Sequence, residues 1–210
     1  MRTAASPGPA VEPCPWDSLD QVAQAVAACT KCALHATRTR TVPGEGAARA
    51  RLMFVGEAPG ADEDRLGRPF VGAAGQLLDK MIVAMGFARE EVFIANTLKC
   101  RPPGNRDPQE EELAACLPYL RAQIALIRPE AICSLGRHAT HALLERTDAL
   151  GALRGRFFDY RGTPLLPTYH PSYLLRTPGD KNAAWLDLKK IMQRLGTSRP
   201  GNEPPQEETS

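Results

Sequence analysis

Apolar residues in this chain follow two patterns. Four short, nearly unbroken runs are Leu52 to Val55, Val92 to Ala95, Ala131 to Leu135 and Leu165 to Thr168. Runs of this length, closed by Gly, Asn or Pro, read as strands buried on both faces. Elsewhere the apolar positions recur at helical spacing. Leu77, Leu78, Met81, Ile82 and Met85 predict a helix over residues 74–85 with that stripe in the core. Ala184, Trp185, Leu188 and Ile191 do the same for residues 180–195. Asp17-Ser18-Leu19-Asp20 offers a cap for a helix running to about Ala28. Pro108, followed by Glu110, Glu111 and Glu112, opens a helix to Ile127 with a kink at Pro118. Residues 136–145 form another helix, and the polar stretch 61–69 reads as a loop. Strands alternating with helices predict an α/β fold with a largely parallel sheet covered on both faces. The folded domain spans 17–195, and the segments 1–16 and 196–210 read as disordered tails.

Ligands of open α/β sheets bind beyond the carboxyl ends of the strands. Three strand ends here carry chemistry. The first run leads into Gly56-Glu57-Ala58-Pro59-Gly60, the second ends at Asn96, and the last ends at His170. One cleft built from these three ends is the expectation.

Charge changes this picture little. The 210 residues carry a formal net charge of +2, so bulk electrostatics do not announce a nucleic-acid partner. Lys31, Arg38, Arg40, Arg49 and Arg51 face a single acid, Glu45, in a segment that suits either phosphates or solvent. No apolar run approaches the ~20 residues of a membrane span, and the N-terminus lacks the apolar core of a signal peptide. A cytoplasmic monomer with no membrane contact is expected.

In such a compartment disulfides are rare, and clustered cysteines point to a metal or redox centre. Cys29-x2-Cys32 and Cys100-x15-Cys116 supply four thiolates, which suit either zinc or an iron–sulfur cluster. Spacing alone leaves both open, although the fifteen-residue gap fits a zinc knuckle less well. Cys14 and Cys133 fall outside the pattern, and His35, His138 and His141 read as structural.

Several motifs now stand in one order. They are Gly56 to Gly60, Gly67-Arg68-Pro69-Phe70-Val71-Gly72, Asn96 shortly before Cys100, the four cysteines, and His170-Pro171-Ser172. Together they resemble the family 4 uracil-DNA glycosylases, the iron–sulfur type of bacteria and archaea, across nearly the whole of 17–195. The resemblance implies a three-layer α/β/α sandwich around a mostly parallel four-stranded sheet. It implies a [4Fe-4S] cluster on Cys29, Cys32, Cys100 and Cys116, and DNA containing uracil as partner.

It also implies roles for the cleft residues. Asn96 would accept from uracil N3–H and donate to O4. Cytosine presents the opposite pattern and would leave buried groups unpaired at about 1–3 kcal/mol each. Phe70 would stack on the flipped base, worth roughly 1–3 kcal/mol. His170 would donate to uracil O2 as charge collects there. Glu57 would stabilise a cationic sugar or orient water. In the family 1 enzymes an Asp aligns with Ala58, so the water-activating residue does not carry over. Gly56 and Ala58 would offer backbone contacts, Glu63 would support the pocket, Ser172 and Arg176 would meet phosphates, and Leu174 would be the wedge that fills the vacated stack. By residue type alone, Asn96 is an ordinary turn former, and Phe70 and Leu174 are ordinary core residues. A non-catalytic iron–sulfur DNA-binding module of the same fold is the alternative, and the joint presence of Glu57, Asn96 and His170 argues against it. An electron carrier is a third reading, but such proteins carry their cysteines more densely.

Overall fold

The computed structural model describes residues 14–198. In chain order its elements are α1 (Leu19–Ala27), β1 (Glu45–Gly46), β2 (Leu52–Gly56), α2 (Ala61–Leu66), α3 (Ala73–Ala84) and β3 (Phe93–Asn96). Then follow α4 (Glu110–Ile127), β4 (Ala131–Leu135), α5 (Arg137–Leu144), α6 (Leu150–Leu153), β5 (Phe158–Tyr160), β6 (Thr163–Thr168), α7 (Pro171–Arg176) and α8 (Lys181–Leu195). The four apolar runs become neighbours in one sheet of order β1-β3-β2-β4-β6-β5. Its four central strands are parallel, with Gly56 beside Asn96 and Leu135 beside Thr168. The sheet has six strands rather than the four expected, because β1 and β5 add short antiparallel edges.

Alternation along each central strand sorts side chains to two faces. Leu52 and Phe54 of β2 join Leu78 and Ile82 of α3 and Leu188 and Ile191 of α8 in one core. Met53 and Val55 join Leu120, Ile124 and Ile127 of α4 and Leu143 of α5 in the other. That is the three-layer sandwich, and it places the strands' carboxyl ends together at one edge. A third core lies between α1 and α4 and contains Cys100 and Cys116.

Several local expectations need correction. Residues 61–66 form a helix, not a loop, because buried Asp64 accepts the Thr39 N–H at 2.9 and 3.1 Å and so fixes one face. α4 reaches Ile127 with Pro118 inside it, as expected. The proposed tails lie mostly outside the described residues. Of those described, Trp16 lies beside Tyr119, the rings tilted and their centroids 5.3 Å apart, and packs against the third core. Ser18 caps α1 as expected, accepting from the Gln21 N–H. No helix among the described residues is long and apolar enough to cross a membrane.

Candidate active site and cysteine cluster

A cleft of about 740 Å³ opens where the strands end. Glu57, Ala58, Phe70, Asn96, His170, Ser172 and Arg176 all line it, so the structure gathers residues that lie far apart in sequence. Its innermost part is a narrow slot. Asn96 is 2% exposed, and its carboxamide oxygen is buried without a hydrogen-bond partner. Such an orphan acceptor is costly unless something fills the space before it. Gly56 makes that space. A Cβ there would stand 2.4 Å from Asn96 Oδ1 and 2.6 Å from Phe70 Cζ. The Gly56 and Glu57 carbonyls accept from the Thr97 and Leu98 N–H groups at 2.9 and 3.0 Å, so the turn is locked to the end of β3. Gly56 therefore serves the site by what it lacks.

Phe70 forms the wall opposite and is only 6% exposed. Its φ of 50° lies in the left-handed region, which a bulky residue adopts only when its neighbours hold it there. Two groups do so. Arg89 donates to the carbonyls of Pro69 at 2.6 Å and Phe70 at 3.3 Å, and is itself held by Glu45 and Asp79. Glu63 accepts from the Val71 and Gly72 N–H groups at 2.8 and 3.0 Å and from the Gly60 N–H at 3.1 Å. Glu63 thus ties the turn after β2 to the loop that carries Phe70, which gives it the supporting position expected of it. Gly75 lets the Phe70 carbonyl lie against α3, since a Cβ there would come within 1.9 Å of it.

His170 caps α7 and faces Phe70, ring centroids 5.6 Å apart. Its Nδ1 accepts the Ser172 N–H at 3.1 Å and lies 2.8 Å from Ser172 Oγ. Burial, reinforced by the nearby Arg176 charge, lowers its pKa to about 4. The imidazole is therefore neutral near pH 7, with its proton on Nε2, because Nδ1 is taken up as an acceptor. Ser172 spends its hydroxyl on that ring. Arg176 is exposed at the rim. Leu174 is the clearest departure from the sequence reading. It is 2% exposed and packed inside, while Leu175 is 44% exposed. The short α7 turns Leu174 inward, so it offers no apolar surface to a ligand.

The cysteines form a second site behind the first. Cys29, Cys32, Cys100 and Cys116 line one small pocket with Leu34, Leu98 and Tyr119. Arg38 donates to Cys100 Sγ at 3.3 Å and the Lys99 N–H donates to Cys116 Sγ at 3.1 Å. Cys133 is fully buried in β4 and Cys14 lies near Trp16, both outside that pocket. Ala58 lines the cleft and also packs against the third core, which contains Cys100 and Cys116.

Lys99 is a buried support of the slot that residue type conceals. It is 1% exposed, and its ammonium donates to the Asn96 carbonyl at 3.0 Å and to Gln123 Oε1 at 2.7 Å. Burial lowers its pKa to about 8. It braces the residue behind the slot from the side of the cysteines. Asp107 and His138, the first unremarked and the second read as structural, also line the cleft.

Residues 43–189 match the sequence profile of the uracil DNA glycosylase superfamily. The chain belongs to that superfamily. Within the superfamily, the chain is 46% identical over 190 residues to a type-4 uracil-DNA glycosylase of Saccharolobus solfataricus, covering 86% of this chain and 88% of the relative. A type-4 enzyme of Archaeoglobus fulgidus is 41% identical, covering 88% of this chain and 96% of the relative. Another, of Thermotoga maritima, is 46% identical, covering 75% and 83%.

Proposed function

We propose that this chain hydrolyses the N-glycosidic bond of uracil in DNA and leaves an abasic site. The observation that carries the reading is the orphan Asn96 oxygen at the end of a slot opened by Gly56 and walled by Phe70. A flipped pyrimidine that presents a donor at N3 satisfies that oxygen, and uracil does while cytosine does not. The ring lies against Phe70. His170 then offers a neutral Nε2–H to O2, which gains charge as the bond to C1′ breaks. A donor placed for the developing anion favours the transition state over the ground state. Ser172 fixes the orientation of that donor rather than binding phosphate. Arg176 at the rim meets the DNA backbone, and the apolar side chain presented beside it is Leu175. The type-4 names of the relatives support the same substrate.

Cys29, Cys32, Cys100 and Cys116 are the ligands we assign to a [4Fe-4S] cluster. Thiolates on one zinc ion lie about 3.8 Å apart, from Zn–S bonds of about 2.3 Å. Among the described residues, the group of three or more ligating atoms lying within 4.8 Å of one another contains none of these sulfurs. No three of these sulfurs share that spacing, which suits a larger inorganic core than one zinc ion. Bound there, such a cluster would cross-link the end of α1, the start of the 100–109 loop and α4. The decisive experiment is excision from a uracil-containing oligonucleotide, with thymine and hypoxanthine controls. Absence of uracil release by iron-loaded protein from both single- and double-stranded substrates overturns the proposal.

A further inference from the structure

The cleft contains a group of side chains that base reading does not use. Glu57 after β2, Asp107 in the loop before α4, and His138 in the first turn of α5 each bring a ligating atom within 4.8 Å of the other two. Three atoms so spaced share a point no farther than about 2.8 Å from each, which is 4.8 Å divided by the square root of three. That is hydrogen-bonding distance for a water molecule. The group is held from outside. His138 Nε2 lies 3.3 Å from Asp107 Oδ1 and 3.0 Å from Arg137 Nη2, and Arg137 reaches Asp107 Oδ2 at 3.7 Å. Arg106 donates to the Asp107 carbonyl at 3.0 Å while gripping Glu112, which fixes the loop. Independently, the buried and unpartnered Asn96 oxygen belongs to the same cleft, which is therefore shaped to receive a ligand.

We propose that Glu57, Asp107 and His138 hold the water that attacks the sugar. The proposal rests on the reading of this cleft as a uracil-excising site and adds two residues to it. The water oxygen bonds to C1′ as the C1′–N1 bond breaks. The electron pair of that bond leaves on uracil, whose O2 faces His170. The proton released by the water passes to the Glu57 carboxylate, and the uracil anion later takes a proton from solvent. Asp107 and His138 orient the water so that its lone pair points at C1′ rather than at the base on which its proton lands.

The electrostatics agree with this geometry. A general base works best with a pKa near the working pH. Glu57 is raised to about 7, first by burial and then by the Asp107 charge, with Arg137 pulling it down. His138 is held below its usual value by burial and by Arg137, against the opposite pull of Asp107. The other ionisable groups lining the cleft are Glu63, Arg106, Tyr169, His170, Tyr173 and Arg176.

The test is the single-turnover excision rate against pH for wild type, Asp107→Asn, Arg137→Met and His138→Ala. Binding to abasic-site DNA and circular dichroism are measured alongside. Asp107→Asn is expected to lose about 10- to 100-fold in rate, the worth of one hydrogen bond to a charged group. Its acid limb moves to lower pH, because removing a negative neighbour eases ionisation of Glu57. Arg137→Met moves the limb the other way, and His138→Ala loses rate with binding retained. Asp107 is exposed, so its substitution leaves the fold standing, and Asp107→Glu restores part of the lost rate. An active wild type whose Asp107→Asn variant keeps the full rate and an unmoved acid limb overturns the water site alone. A wild type that releases no uracil overturns the reading of the cleft as well.

Discussion

Glu57 carries a cost that can be measured without DNA. Its carboxyl rises from 4.5 to about 7 in the folded protein, chiefly through burial. A raised pKa means that the ionised form is disfavoured by the fold. The associated stability is fully present below about pH 4.5 and is lost as pH rises through about 7. At about 1.4 kcal/mol per pH unit, the full difference corresponds to roughly 3 kcal/mol. Glu57 is partly open to the cleft, and solvent screening cuts this to about 1–2 kcal/mol. Glu57→Gln keeps the shape and removes the charge. The variant is therefore expected to match wild type near pH 4.5 and to exceed it by about 1–2 kcal/mol at pH 8, or roughly 2–8 °C in melting temperature for a chain of this size. Thermal and urea unfolding of the iron-loaded protein across pH 5–8 give the difference directly. A gap between variant and wild type that does not grow with pH, or that grows with the opposite sign, refutes the argument that burial sets the ionisation of Glu57.

Three further predictions follow from the geometry. Gly56→Ala drives a methyl into Asn96 and Phe70, so excision collapses while affinity for undamaged duplex persists; normal kcat/KM in this variant removes the slot from the mechanism. His170→Ala loses about 10²–10³ in single-turnover rate with little change in the dissociation constant for abasic-site DNA, and an equal fall in binding makes His170 structural. Purified wild type is brown and contains iron; Cys29→Ser, Cys32→Ser, Cys100→Ser and Cys116→Ser each bleach it, whereas Cys14→Ser and Cys133→Ser do not, and a colourless protein with one zinc per chain from iron-replete anaerobic culture contradicts the cluster.

The parallel centre of the sheet was legible because its strands are buried on both faces and so read as continuous apolar runs. The edges were not, since β1 and β5 are two and three residues long and carry no such run. α2 escaped because Ala61–Leu66 has no apolar stripe; carboxylates, not oil, hold it in place. The slot residues were readable from motif order, and so was Glu63 among their supports, whereas Arg89 and Lys99 were not. Arg89 and Lys99 act through backbone carbonyls, and a carbonyl leaves no mark on residue type. Leu174 and Leu175 are adjacent leucines, and only the turn of α7 decides which one faces inward. Asp107 and His138 stand 31 positions apart and meet only because α5 starts where the 100–109 loop passes.

The loop between Cys100 and Cys116 touches both sites. It leaves the cysteine pocket, runs to the cleft, where Pro102, Asn105, Arg106 and Asp107 form one side, and returns through the first turns of α4 to Cys116. The long gap that made the cysteine pattern a poor zinc knuckle is thus a tether whose length is set at its far end, by the distance out to the cleft and back. Cys100 and Cys116, both buried in the third core, are the fixed posts of that tether. Shortening it would leave the posts standing and pull Asp107 out of reach of Glu57, so the cysteine spacing in this chain is a measure of the catalytic cleft.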